Sequence, residues 1–474
     1  MSITTIKTLM LQTGVAFGTS GVRGLVTEMT DEICAAYTQA FLTVLKQSYD
    51  FDSVAIGIDL RPSSPRIAQA CAAIIQANAL KVDFCGELPT PALAYYAKKA
   101  GIPAMMITGS HIPFDRNGIK FYRPDGEISK ADELAIVNLP LEIMTQNILP
   151  PTLSVNHTAV SDYENRYLDF FPADSLSGMR IGFYQHTSVA RDVLKNILEK
   201  LGAHVVAIDR TEIFVAIDTE AVSDEDKQRG KNWSQQYQFD AIISTDGDGD
   251  RPLIADETGT WLRGDLVGLI SSRYLAIQQV AIPVSCNTAI ELSGSFEEVK
   301  RTKIGSPYVI AAMEKFDNQH GNIAGFEANG GFLLGSNIEN QGKTITALAT
   351  RDATLPIIAV LAAAQQSACK VSDLFLALPK RYTDSNRLQN FPLHLSRLLL
   401  AIWANNPDQF LKLLGDEFGQ ITDGLRLSFS NQDIIHIRAS GNAPELRCYC
   451  ESSDYQKTSY IIEKVLDILK QYYF

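Results

Sequence analysis

No stretch of this chain approaches the roughly 18 to 20 uninterrupted apolar residues that a membrane span needs. The run Ile357-Ile-Ala-Val-Leu-Ala-Ala-Ala364 is far shorter. The N-terminus lacks the charged-then-apolar pattern of an export signal, so a cytoplasmic protein is expected. No basic block offsets the formal net charge of −12, which argues against nucleic acid or a membrane surface as partner. Cysteine is sparse and odd in number, seven in 474 residues, which fits reduced thiols better than a disulfide framework. Cys448 and Cys450 lack zinc-site spacing and are expected to be structural. A GxGxxG dinucleotide fingerprint and a GxSxG nucleophile elbow are also missing. What remains is an ordinary globular composition, 46% hydrophobic and 20% charged. The chain is too long for one core, and at roughly 100 to 200 residues per domain it holds three or four. An anionic ligand would have to be held by local basic clusters.

Such clusters are present. The apolar run Ala104-Met-Met-Ile107 reads as a buried strand, and the Gly, Pro and Asn that follow force a loop, placing Ser110 at a strand tip where α/β domains meet their ligands. Upstream, the three glycines of Phe17-Gly-Thr-Ser-Gly-Val-Arg-Gly24 let backbone N–H groups converge on an anion, with Arg23 adding fixed charge. A strand at Val54–Asp59, a helix over 65–78 opened by Pro65, a strand near Val82–Cys85 and a helix after Pro91 give βαβα order, hence a largely parallel sheet covered by helices. The stretch 147–156 reads as a linker. Beyond it come a helix near Asp162–Phe170, strands at Arg180–Tyr184, 204–208 and Asp240–Thr245, and a helix at 189–201. Leu262 to Leu266 opens another helix, and a further one lies near 352–365. From about 380 the pattern changes to a helix around 396–405, strands near 424–437 and 446–451, and a terminal helix at 456–471.

Asp246, Asp248 and Asp250 alternate with glycines, so their carboxylates can converge on one cation; three adjacent like charges would otherwise repel strongly. All-oxygen ligation favours Mg2+ over zinc. An EF-hand is excluded: Glu257 falls at the twelfth position, but Arg251 stands at the sixth, where Gly is needed. The loop from Arg438 to Arg447 combines bidentate guanidinium groups with small residues that expose N–H groups, and Pro444 stiffens it. This is an anion clamp.

In this order, Phe17–Gly24, the Ser110 loop, Asp246–Arg251, Gly325-Phe-Glu-Ala-Asn-Gly-Gly331 and the Arg438 loop resemble the α-D-phosphohexomutase superfamily, and within it the phosphomannomutase/phosphoglucomutase group. The resemblance spans essentially the whole chain. It implies three similar α/β domains with mixed, mainly parallel sheets plus a C-terminal α+β domain around a central cleft, here 1–150, 157–256, 257–370 and 380–474. It implies that Ser110 carries a phosphoryl group and joins Asp246, Asp248 and Asp250 as a Mg2+ ligand. Arg23 and Arg251 neutralise charge, and Lys120 exchanges the proton of the sugar hydroxyl, with His111 as a second candidate. Lys303, Glu327 and Asn329 would recognise the sugar, and Arg438, Ser440, Asn442 and Arg447 the phosphate that is not being transferred. A hexose 1,6-bisphosphate is both intermediate and activator. The partners are small hexose phosphates, and the protein is a monomer or homodimer.

Three positions depart from the common pattern: Asn442, where Thr is usual; Asn329, where Ser is common; and Ser306, where a His often follows the Gly. The implied reaction is reversible interconversion of hexose 1- and 6-phosphates, mannose preferred and glucose accepted. Rival readings are a serine hydrolase using Ser110 and His111, a hexose bisphosphate synthase, and a non-catalytic sugar-phosphate sensor. The hydrolase is disfavoured because adjacent loop residues are not expected to point at each other. If Ser110 is the phosphoacceptor, peptide mass mapping after incubation with a hexose bisphosphate places the phosphate on it. Full turnover by Ser110→Ala overturns the assignment.

Overall fold

The computed structural model describes residues 3–18, 21–142, 151–406, 424–439 and 445–471. Ser440, Asn442, Pro444 and the first part of the expected 147–156 linker lie outside the described residues.

Three sheets repeat one plan. In the first, Lys81–Glu87, Ser53–Ile58 and Ala104–Ile107 run parallel, and Arg116–Arg123 returns antiparallel beside Ala104–Ile107. Val22–Leu25 and Ala16–Phe17 extend that edge antiparallel. In the second, His204–Arg210, Arg180–His186 and Ala241–Thr245 are parallel and Pro252–Ala255 returns antiparallel. In the third, Glu298–Thr302, Ile277–Pro283 and Asn322–Phe326 are parallel, with Phe332–Leu334 and Leu348–Asp352 added antiparallel. The return loop after the third parallel strand therefore recurs three times. It carries Ser110, then Asp246 to Asp250, then Glu327.

These strands read as apolar runs because helices cover both faces of the sheets. All four residues of Ala104–Ile107 are buried, and alternate side chains enter different cores: Met105 and Ile107 pack with helices Asp31–Leu45 and Ser64–Ala77, Ala104 and Met106 with helix Thr90–Ala100. The latter core runs on without a break through Phe183, Phe326 and Leu361, so the three sheet units share apolar packing. Pro65 occupies the first turn of Ser64–Ala77, as expected. Helices Asp31–Leu45 and Asp224–Tyr237 did not stand out in the sequence; they are capped by Thr30 and Ser223, which accept from the N–H groups of Ile33 and Asp226.

The C-terminal unit is different. Its sheet is wholly antiparallel, in the order Tyr382–Leu388, Leu446–Ser452, Ile434–Ala439, Leu425–Ser428. Helices Leu393–Asn405 and Tyr455–Lys470 close a separate core over one face, formed by Leu425, Leu427, Ile435, Ile437, Cys448 and Cys450. By the two-residue period of a strand, Arg438, Arg447 and Tyr449 lie on the other face. The unit is tied to the third by Asn287 Nδ2, which donates to Arg381 O at 2.9 Å and Thr383 Oγ1 at 2.7 Å. Arg381 Nε also donates to Glu451 Oε1 at 2.7 Å. Among the described residues no helix is long and apolar enough to cross a membrane, and all seven cysteines are free.

His186, at the end of its strand, is fully buried and its Nε2 lies 2.9 Å from Thr245 O, while Nδ1 has no hydrogen-bond partner. Burial pulls this imidazole down to about 4. The unfolded chain, with an imidazole near pH ~6.5, binds a proton that the folded chain refuses, so this group's contribution to stability is complete above that pH and is lost as the pH falls toward 4. Replacing His186 with Gln is expected to make the unfolding free energy, measured by urea denaturation, less steep across this window by up to about 1.4 kcal/mol per pH unit.

Candidate active site

Ser110 is buried and adopts a left-handed backbone conformation, φ 53°. Its N–H donates to Thr108 Oγ1 at 2.8 Å, and its hydroxyl donates to Asp246 Oδ2 at 2.6 Å. The loop around it is held by a residue that sequence reasoning passed over. Arg61, 1% exposed, donates through Nη2 to Ser110 O at 2.9 Å and Ile112 O at 2.5 Å, and through Nη1 to Pro113 O and Arg116 O, both at 2.8 Å. Its charge is balanced by Asp59 at 3.2 Å, and the Phe214 ring from the second unit lies 4.3 Å from its guanidinium carbon. Gly109 is required here, since a Cβ would stand 2.5 Å from that carbon. The only advance signal was an Asp-Leu-Arg sequence at a strand tip.

His111 corrects an expectation. Its Nδ1 lies 3.3 Å from Ser110 Oγ, so the adjacent side chains do face each other. The hydrolase reading still fails, for a different reason: Arg251 Nη1 donates to the same Nδ1 at 2.8 Å and engages the lone pair that would have taken the serine proton. Burial, with Arg251 and Arg23 nearby, also pushes this imidazole well below its ordinary range and keeps it neutral.

The acidic loop places oxygens of Asp246, Asp248 and Asp250 within 4.8 Å of one another, all buried. Asp246 Oδ1 accepts from the N–H groups of Asp250 and Arg251, both at 3.2 Å, which turns Oδ2 toward Ser110. Lys120 Nζ reaches Asp248 Oδ2 at 2.6 Å and Asp250 Oδ2 at 2.5 Å, Thr90 Oγ1 donates to Asp248 Oδ2 at 2.5 Å, and Arg351 Nε donates to Asp250 Oδ2 at 3.0 Å. Asp248 Oδ1 and Asp250 Oδ1 are buried without a hydrogen-bond partner. Burial and the two neighbouring aspartates push Asp246 well above the usual carboxylate range. Asp250, despite burial, is held well below it by Arg351, Lys120 and Arg251. Orphaned carboxylate oxygens with no nitrogen or sulfur donor among them fit a hard divalent cation. Arg23 lies in the same field: burial, with Arg251 and Arg351 beside it, lowers its guanidinium to about 10.

In the third return loop Glu327 is buried, its N–H donates to Gly331 O at 3.1 Å, and Oε2 accepts from Arg351 Nη1 at 3.2 Å. Asn329 braces the turn, its Oδ1 accepting from Gly331 N at 2.9 Å and its carbonyl from Thr219 Oγ1 at 2.7 Å. Lys303 is exposed, its ammonium 5.9 Å from the Tyr308 ring.

Across the C-terminal sheet, Arg447 stands directly between Arg438 on one neighbouring strand and Arg387 on the other. Like charges directly opposite destabilise a sheet, so three arginines in one row mark a place built for an anion. Glu445 compensates in part, 3.3 Å from Arg447 and 3.5 Å from Arg387. Arg387 was not anticipated, because its strand partner, Arg447, lies far along the chain. Arg447 and Arg387 also line a cavity of about 400 Å³ facing Glu220 of the second unit.

Arg61 generates a test. Arg61→Lys keeps the charge near Asp59 but cannot hold four carbonyls in one fork. If Ser110 is the phosphoacceptor, the rate at which it takes up a phosphoryl group from a hexose bisphosphate is expected to fall about 100-fold, the scale of a small misplacement of reacting atoms, with circular dichroism unchanged. A rate within about twofold of wild type removes Arg61 from this role.

The chain matches four domain descriptions in succession: phosphoglucomutase/phosphomannomutase alpha/beta/alpha domains I, II and III over residues 14–146, 161–259 and 263–382, and the C-terminal domain over 399–468. It is 49% identical over 464 residues to a phosphomannomutase of Salmonella muenchen, covering 97% of this chain and 96% of the other. It is 45% identical over 470 residues to one from Sinorhizobium fredii, covering 96% and 99%. The crystal structure of a phosphoglucomutase/phosphomannomutase family protein from Burkholderia thailandensis superposes with a TM-score of 0.74 at 19% identity, covering 96% and 97% of the two chains. With an acidic loop facing a strand-tip serine and all four domains matched in order, the chain belongs to the phosphoglucomutase/phosphomannomutase family.

Proposed function

We propose that this enzyme is a phosphomannomutase, interconverting mannose 1-phosphate and mannose 6-phosphate through a phosphoserine at position 110 and a hexose 1,6-bisphosphate, and that it also accepts glucose phosphates. The observation that carries the reading is the 2.6 Å hydrogen bond from Ser110 Oγ to Asp246 Oδ2 across two units. Relatives 49% and 45% identical over nearly the whole chain carry the name phosphomannomutase, which supports the sugar.

Asp246, Asp248, Asp250 and Ser110 would hold Mg2+, which when bound polarises the phosphoryl group and offsets its charge. The protein's own groups do the rest. Arg251 and Arg23 offset negative charge beside Ser110. Lys120 Nζ, already among the carboxylates, exchanges the proton of the sugar hydroxyl that attacks or leaves. Glu327 accepts hydrogen bonds from sugar hydroxyls; Lys303 and Asn329 complete that subsite. Arg438, Arg447, Ser440 and Asn442 hold the phosphate that is not being transferred. The bisphosphate then turns about, and Ser110 recovers the other phosphoryl group. The four domains 1–150, 157–256, 257–370 and 380–474 close around this cleft, the last moving on its polar junction.

A carboxylate that reads C3 and C4, which mannose and glucose present alike, cannot strongly separate the C2 epimers; one neutral hydrogen bond is worth about 0.5 to 1.5 kcal/mol, roughly a tenfold preference. A coupled assay with Mg2+ and a trace of bisphosphate is expected to turn over both 1-phosphates, with kcat/KM values within about tenfold. Chelation abolishes turnover reversibly, and Asp248→Asn lowers it at least about 100-fold. Binding without turnover would make the protein a sensor, and accumulation of bisphosphate without 6-phosphate a synthase. Either result overturns the proposal.

A further inference from the structure

Arg351 is 2% exposed, with its guanidinium engaged inside the protein. Its three bonds reach two different parts of the site. Nε donates to Asp250 Oδ2 at 3.0 Å, and Nη1 donates to Glu327 Oε2 and to Ser306 Oγ, both at 3.2 Å. The surroundings are built to keep it there. A Cβ on Gly331 would overlap the Arg351 side chain, so the last glycine of the Glu327 loop is the passage through which the arginine reaches both carboxylates. Next to it, Asp352 accepts from the hydroxyls of Tyr163 and Tyr167 and from the N–H of Thr354, which fixes the backbone. Ser306 donates in turn to Glu127 Oε2 at 3.0 Å, and Thr350 to Glu127 Oε1 at 2.6 Å. The serine that stands where a larger side chain was expected is therefore part of the arginine's own seat.

We infer that Arg351 is a positioning residue shared between the two halves of the site, one guanidinium divided between the cation-binding carboxylate Asp250 and the sugar-reading carboxylate Glu327. The inference rests on the mutase reading above. Its consequence is a pair of effects with opposite signs. A fixed positive charge beside Asp250 repels any divalent cation bound there, so removing it strengthens cation binding. The same removal leaves Glu327 without the hydrogen bond that orients it, so sugar binding weakens. Damage to packing would weaken both.

The test measures Mn2+ binding alone by calorimetry and, separately, KM for mannose 1-phosphate. In Arg351→Met the Mn2+ Kd is expected to fall about three- to tenfold, while KM rises about tenfold. In Arg351→Lys the charge remains but an ammonium cannot serve both carboxylates in one plane. There the Mn2+ Kd stays within about twofold while KM still rises about tenfold. Arg351→Met that weakens both, or moves neither, overturns the inference. If that variant does not fold, Arg351→Lys decides alone, and an unchanged KM overturns it. Failure of the mutase reading is told apart by the wild-type enzyme, which would then turn over neither hexose 1-phosphate.

Discussion

Three aspartates buried within 4.8 Å of one another form the constraint around which the rest is arranged. At an effective dielectric near 20, each pair at about 4 Å repels by roughly 4 kcal/mol, too much for a protein of ordinary stability to carry uncompensated. The compensation is drawn from separate parts of the chain: Lys120 from the first unit, Arg251 from the acidic loop itself, Arg351 from the third unit. Convergence of the units and neutralisation of the triplet are thus one requirement. Two carboxylate oxygens remain without hydrogen bonds and could accept a cation.

What could be read from the sequence follows from how local each signal is. Ser110 was legible because an apolar strand ends beside it, and the aspartates because glycines separate them. Arg61, Arg351 and Arg387 were not, because an isolated arginine acquires meaning only from partners far along the chain: Ser110 O for Arg61, Asp250 and Glu327 for Arg351, Arg447 for Arg387. Helix Asp224–Tyr237 was missed for a related reason. It buries only Gly230, Trp233 and Ser234, so it has no apolar stripe to detect. Ser110 and His111 misled in the opposite direction, because the left-handed turn at Ser110 brings neighbours together that an extended loop would hold apart.

The two kinds of core imply a division of mechanical roles. One apolar cluster runs through all three sheet units, whereas the C-terminal sheet packs on its own helices. The junction between them includes hydrogen bonds from Asn287 to Arg381 and Thr383 and from Thr288 to Glu451. Such bonds can be exchanged for water at little net cost, while a shared apolar core cannot be opened without exposing it. Ser110 and the acidic loop therefore sit in the stiff part of the molecule, and the arginine row rides on the part that can be reoriented.

The threefold recurrence of one return loop carries an evolutionary consequence. In each sheet unit the return loop joins the third parallel strand to its antiparallel neighbour, and of the three loops only that of Glu327 enters the apolar layers beneath, through Ala328. Changes at the exposed positions of such loops leave the hydrogen-bonded ladder intact. A single ancestral unit, copied and then altered at one loop per copy, could have acquired Ser110, the acidic triplet and Glu327 in turn, each change sparing the strand ladder that bore it while its charge had to be met by a neighbouring unit.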